Sequence, residues 1–130
     1  MSSQSSMSMP LFYRGLLYAL REKREDFLAD GDRFHEAFRH MLEEAKAKKL
    51  PVPADELLDE FDPVFGVSPH ATEMLFEGER DFIISLMNPR LVTASYKISE
   101  DEAREALDKL DAAATFRTLA SDLDACLQPA

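Results

Sequence analysis

Cysteine occurs once in the 130 residues, as Cys126, and tryptophan not at all. A single cysteine can form neither an internal disulfide nor a thiolate metal cage, and its scarcity fits a reducing compartment. No histidine or basic residue lies beside Cys126 to lower its pKa, so it reads as a small apolar residue of a C-terminal helix. Glycine is sparse too. Gly15, Gly31, Gly66 and Gly78 are dispersed and make no phosphate-cradling loop. Histidine is limited to His35, His40 and His70. His35 and His40 are five apart, about 140° around a helix, so they do not share a face as an i, i+4 metal pair would. The string His35-Glu36…His40 misses the metalloprotease spacing His-Glu-x-x-His by one residue. His40 stands four residues from Glu36 and Glu44, the spacing of surface pairs on a helix. His70-x-x-Glu73 reverses the Glu-x-x-His order of di-iron bundles and has no second copy. No serine sits in a nucleophile elbow. These absences predict a chain that is not an enzyme and holds no metal or cofactor.

Long apolar runs are missing as well. The stretch 11–20 is about half the ~20 residues that a bilayer-spanning helix needs, and Arg14 interrupts it. It lacks the basic start and small-residue cleavage site of a signal peptide. The expectation is a cytoplasmic protein without a membrane partner.

What the sequence does have is negative charge, with a formal net of −10. Residues 1–50 hold nine Lys/Arg against eight Asp/Glu, and residues 51–130 hold six against seventeen. The acidity therefore belongs to the second part of the chain. Such a balance repels nucleic acid and anionic lipid. The run from Glu73 to Asp81 reads as a solvated face, because acid catalysis between two carboxylates also needs a cleft. The apolar share of 45% is that of a globular protein.

Residues 1–9 read as a disordered Ser-rich tail, and 10–130 as one helical domain. Pro10 suits the first position of a helix. That helix is predicted over 11–29, with Phe12, Leu16, Leu17 and Leu20 on one stripe and Phe27 and Leu28 extending burial. Gly15 weakens it by about 1 kcal/mol relative to Ala, a cost that fits close approach of a neighbour. Asp30 and Gly31 end it, and Asp32 caps a second helix. There Phe34, Ala37, Phe38, Met41, Leu42 and Ala45 recur at helical spacing, and Pro51 and Pro53 stop the helix. One or two helical turns follow from Asp55. The proline-rich piece 61–69 is an ordered connection with room for a short strand. Ser68-Pro69 opens a third helix, through Met74, Leu75 and Phe76 to about Phe82. Ile83, Ile84, Leu86 and Met87 either continue that helix or begin a strand. Asn88-Pro89 is a turn signal. Residues 91–98 alternate, with Val92, Ala94, Tyr96 and Ile98 on the apolar side, and read as a strand. Ser99 with Glu102 forms a capping box for one long helix or two, broken near 111–115.

The fold class is therefore mainly α with a small β-hairpin, the alternative being an all-α bundle. The order of helices, Ser-Pro-capped third helix and two strands around Asn88-Pro89 resembles a winged-helix domain with an added C-terminal helix. In that family the third helix reads DNA and the hairpin forms the wing. The resemblance implies phosphate contacts from Lys46, Lys48, Lys49, Arg90 and Lys97. Charge opposes it: the third helix carries Glu73, Glu77, Glu79 and Asp81 against Arg80 and His70, whereas phosphate affinity comes from Lys and Arg. The C-terminal section, with Leu107, Leu110, Phe116, Leu119 and Leu123 opposite an acidic face, reads as a surface for a second copy or a basic partner. The function expected is a non-enzymatic regulatory or adaptor-like protein-interaction domain that acts as a homodimer. A DNA-binding transcriptional regulator is the alternative.

Overall fold

The computed structural model describes residues 7–29, 31–64, 66–86 and 93–127, and the side chains at 31 and 32 are outside that set. The elements in chain order are α1 (Met9–Arg21), β1 (Asp26–Leu28), α2 (Gly31–Ala47), α3 (Ala54–Asp59), α4 (Pro69–Arg80), β2 (Ile84–Ser85), β3 (Thr93–Tyr96), α5 (Glu100–Asp108) and α6 (Ala113–Cys126). The chain is mainly helical with a small antiparallel sheet, as the sequence patterns predict. Among the described residues no helix is long and apolar enough to cross a membrane.

Local chemistry sets most of the boundaries. Ser8 caps α1 by accepting from the Leu11 N–H at 3.3 Å, and Pro10 falls in the first turn. Ser99 and Glu102 make both bonds of the capping box, at 3.0 and 2.8 Å. The C-terminal section is two helices, separated at 109–112. Met7 and Met9, expected in the tail, pack against the core; residues 1–6 lie outside the description.

The first helix is shorter than predicted. It ends at Arg21, and Phe27 belongs to β1 instead. Phe27 follows Leu20 by seven residues, a helical interval, so periodicity alone continues the helix. Pairing decides otherwise: Asp26, Phe27 and Leu28 face Ser95, Ala94 and Thr93 of β3. Gly31 accordingly starts α2 rather than ending α1, and Asp32 lies inside that helix rather than at its cap.

The sheet order is β1-β3-β2, so β3 is central. The alternation predicted for 91–98 holds where described, with Ala94 buried and Tyr96 and Ile98 packed against the core. Leu91, Val92 and the Asn88-Pro89 turn lie outside the described residues. Tyr96 ties the sheet to α1, its hydroxyl donating to the Leu17 carbonyl at 2.5 Å. The connection 61–68 contains an antiparallel bridge between Asp62 and Val67.

One continuous core is built around Phe12, Phe27, Phe34, Phe38 and Phe116, all fully buried. Rings of Phe27 and Phe34 stack at 5.6 Å. Helix α1 is central, in contact with α4, α5 and α6. Gly15 explains how α6 comes so close. A Cβ there would lie 2.6 Å from Cδ2 of Phe116 and nearer still to Cε2 and Cζ.

Candidate functional site

Helix α4 carries an exposed aromatic residue, Phe76, on its outward face. Its entry is held from three sides. The Ser68 hydroxyl accepts from the Ala71 N–H at 3.2 Å, and Ser68 is buried. The Ser68 N–H donates to His35 Nδ1 of α2 at 3.0 Å, which requires that nitrogen to be unprotonated. His70 Nδ1 meets the Tyr13 hydroxyl of α1 at 2.8 Å. Burial pushes the Tyr13 phenol up to about 12, assisted by the carboxylates of Glu73, Glu77 and Glu60. His35 thus has a defined structural partner in the Ser68 N–H. Near His40, Glu36 is engaged by Arg39 at 2.6 Å. Among the described residues no group of three or more His, Cys, Asp or Glu is placed to hold a metal ion.

The buried side of α4 is Ala71, Met74, Leu75 and Gly78. These recur at i, i+3, i+4 and i+7, so the helix already has its core face. Phe76 falls outside that set and is 53% exposed. It shares the outward face with Pro69, Glu73 and Arg80, all exposed. The guanidinium of Arg80 is drawn to Glu77 at 3.1 Å. Glu79 accepts from the Leu86 N–H at 3.2 Å, which fastens β2 to the helix. Glu73 and Asp81 make no ion pair among the described residues.

The end of α4 is unusual. The Ile83 N–H reaches the Gly78 carbonyl at 2.9 Å and the Phe82 N–H reaches the Glu79 carbonyl at 3.1 Å. This is a Schellman ending, in which the penultimate residue takes a left-handed conformation that glycine prefers. Phe82 occupies it, with φ of 63°. Left-handed backbone costs a non-glycine residue about 1–2 kcal/mol, and a bulky side chain is a rare occupant. Phe82 gains little from the core in return. It is 71% exposed, and its ring lies 5.3 Å from the Lys97 ammonium.

A shallow, open depression lies between α1 and α4, lined in part by Tyr13, Arg14, Leu17, Glu77 and Asp81. It has no interior space for a ligand, where small-molecule pockets run from roughly 300 Å³ upward.

Of the residues expected to touch phosphate, Lys46, Lys48 and Lys49 lie at the end of α2 and Lys97 just after β3. Lys46 pairs with Asp55 at 2.8 Å and Lys48 with Asp122 at 2.8 Å. Lys49 is exposed just beyond α2, and Lys97 lies next to β3 against Phe82. Arg90 lies outside the described residues.

The surface expected for a second copy requires correction. Leu107, Phe116, Leu119 and Leu123 are fully buried in the core, and Leu110 is partly buried against it. The apolar stripe of α5 and α6 is covered by the chain's own α1 and α2. The acidic side is engaged too: Asp124 pairs with Arg24 at 2.7 Å, Asp122 with Lys48, and Asp108 with Arg117 at 2.8 Å. Arg117 also grips Glu22 of α1 through two bonds, at 3.0 and 3.1 Å. Cys126 is half-buried on α6, and burial with Asp122 and Glu44 nearby raises its thiol pKa. Sequence patterns fail to single out Phe76 and Phe82. The signal for Phe76 was present, because it breaks the helical stripe of its neighbours. The conformation of Phe82 has no sequence signature.

No protein-family model, curated protein or solved structure matches the chain.

Proposed function

We propose that this chain is a non-enzymatic protein-interaction domain, regulatory or adaptor-like, on a winged-helix-like frame whose third long helix, α4, faces a protein instead of DNA. The frame reading is supported by element order: helices, then two strands that enter the same sheet, with β3 central. The observation that carries the functional reading is the outward face of α4. It presents Phe76 and Glu73, while its single cation, Arg80, is turned to Glu77. Between Glu73 and Asp81 four carboxylates stand against that one arginine, a net of −3. A helix so charged is repelled by a duplex, whose affinity for proteins rests on neutralising phosphates. Self-association on this face is opposed for the same reason, since two copies would bring like charges together. A different protein is the partner.

Two measurements test this. Fluorescence anisotropy with a random-sequence DNA duplex at low salt is expected to give no saturable binding. A photo-crosslinking residue at position 76 of the full chain, in nuclease-treated lysate of its own cells, is expected to give discrete protein adducts that unlabelled chain competes away. Saturable duplex binding with a steep salt slope, together with no competable adduct, would overturn the reading and favour a DNA-binding regulator.

A further inference from the structure

We infer that the entry of α4 is a pH-sensitive latch: protonation of His35 releases the connection 62–68 from α2, while the His70–Tyr13 pair keeps α4 fastened to α1. The latch holds whether or not α4 binds a protein. Two imidazoles stand at the Ser68-Pro69 start of the helix, and both are engaged through Nδ1. Their partners differ in kind. The Ser68 N–H can only donate, so the bond at 3.0 Å exists only while His35 Nδ1 is unprotonated. An imidazolium carries N–H groups at both ring nitrogens, so the proton and this bond exclude one another. The Tyr13 hydroxyl can donate or accept. It donates to a neutral His70 Nδ1 and accepts from a protonated one, so that contact survives acid with its direction reversed.

Burial gives the loss of the first bond its consequence. Ser68 is 1% exposed, so water does not replace the missing acceptor in place. His35 itself is half-buried, within reach of solvent protons. The connection closes on itself: the Asp62 N–H donates to the Val67 carbonyl at 2.8 Å, and the Gly66 N–H to the Asp62 carbonyl at 2.7 Å. Those bonds, and the cap from the Ala71 N–H to the Ser68 hydroxyl, involve no imidazole. Acid therefore removes a tie to α2 and leaves the connection and the helix cap intact. The charged groups on the elements that meet α2 act unequally on His35. Arg39, one turn along α2, is held by Glu36 and Glu43 and lies over the Phe61 ring. Glu60 and Asp62 flank Phe61, Glu73 and His70 belong to α4, Tyr13 to α1 and Asp26 to β1. Asp55 and Asp59 of α3 and Asp122 of α6 act on Lys46 and Lys48, about three turns beyond His35. Arg39 opposes a second cation at this end of α2, and the carboxylates favour one.

Heteronuclear NMR of the full chain tests this, following the His35 ring and the Ser68 amide from about pH 8 to about pH 5, across the ordinary imidazole range near ~6.5. At the upper end His35 is expected to carry its proton on Nε2. On acidification, protection of the Ser68 amide from hydrogen exchange, relative to unstructured chain, is expected to fall at least about tenfold in step with the His35 ring. Met74 and Leu75, in the buried stripe of α4, should keep theirs. His35→Asn offers an acceptor that does not titrate, and it is expected to abolish the fall. His70→Asn is expected to leave it in place. A His35 ring protonated on Nδ1 at the upper end, or still neutral at the lower, would overturn the inference. So would unchanged protection at Ser68, an equal loss at Met74 and Leu75, or a fall that persists in His35→Asn or vanishes in His70→Asn. The parent titration decides on its own if either variant fails to fold.

Discussion

Replacing Gly15 by alanine should destabilise the protein, although helix propensity predicts the opposite. A glycine in the interior of α1 costs about 1 kcal/mol relative to alanine, so the substitution starts with that gain. Against it stands Phe116. The added methyl would sit 2.6 Å from Cδ2 of the ring, with two further ring atoms nearer. Phe116 is fully buried, so the ring has no solvent to swing into. Overpacking of a tight core typically costs about 1–3 kcal/mol, and a clash with a buried ring belongs at or above the upper end. The net expectation is a loss of about 1–2 kcal/mol, or roughly 3–8 °C in melting temperature. Urea unfolding followed by circular dichroism measures it by linear extrapolation. Phe116→Leu should relieve the clash, so the double variant should lose less than the two single losses added, by about 1 kcal/mol or more. A Gly15→Ala protein as stable as the parent, or a cycle with no coupling, would refute the close α1–α6 contact.

His35→Ala removes the acceptor of the buried Ser68 N–H, and a deserted buried donor costs about 1–3 kcal/mol; a smaller urea-measured loss would mean that the bond is not made. Ser99→Ala, which breaks both bonds of the capping box, should cost about 1 kcal/mol in the same assay. The raised Tyr13 phenol, at about 12 in the folded chain against ~10 unfolded, contributes stability that is intact below pH ~10 and is lost as pH climbs through about 12. Tyr13→Phe should therefore show a shallower alkaline decline of the urea midpoint than the parent. Lys49 also ends its helix left-handed, with φ of 57°. Lys49→Gly should raise stability by about 0.5–1 kcal/mol, the relief of left-handed strain less the added backbone entropy of glycine, and a fall would contradict the geometry.

The sequence was most legible where a local rule and the tertiary structure agree. Ser68-Pro69 and Ser99 with Glu102 begin helices because their side chains satisfy backbone N–H groups within the same turn, which needs no distant partner. The stripe Phe34–Ala45 is buried as its spacing implies. Legibility fails where two periodicities coincide. Phe27 repeats Leu20 at a helical interval, yet also suits a short strand, and the competition is settled by β3, more than sixty residues away. It fails again where a pattern shows that a face is apolar without showing what covers it. Leu107, Phe116, Leu119 and Leu123 look like a surface for another molecule, but α1 and α2 of the same chain occupy it. The basic residues show the same dependence on distant partners. Lys46 and Lys48 stand in the sequence without their carboxylate partners, Asp55 and Asp122, which only the fold brings to them.

The two left-handed helix endings sharpen the case for the α4 face. Both α2 and α4 finish with the same pair of hydrogen bonds: Leu50 to Ala45 and Lys49 to Lys46 in one, Ile83 to Gly78 and Phe82 to Glu79 in the other. Glycine would serve each ending better. At the α2 ending the substitute is a lysine, whose flexible stem and hydrated ammonium lie comfortably in water. At the α4 ending it is a phenylalanine with most of its ring in solvent, which adds apolar exposure to backbone strain. A fold optimised for its own stability gains from neither. The ring's contact with Lys97 is worth about 0.5–1 kcal/mol at an exposed site, less than the strain it accompanies. What such a side chain can gain lies in contact with something outside the chain. Strain retained at one residue, without a matching internal benefit, points to a functional surface. Under the proposed protein-interaction reading, the carboxylates of α4 disfavour a phosphate backbone and a second acidic copy as that contact.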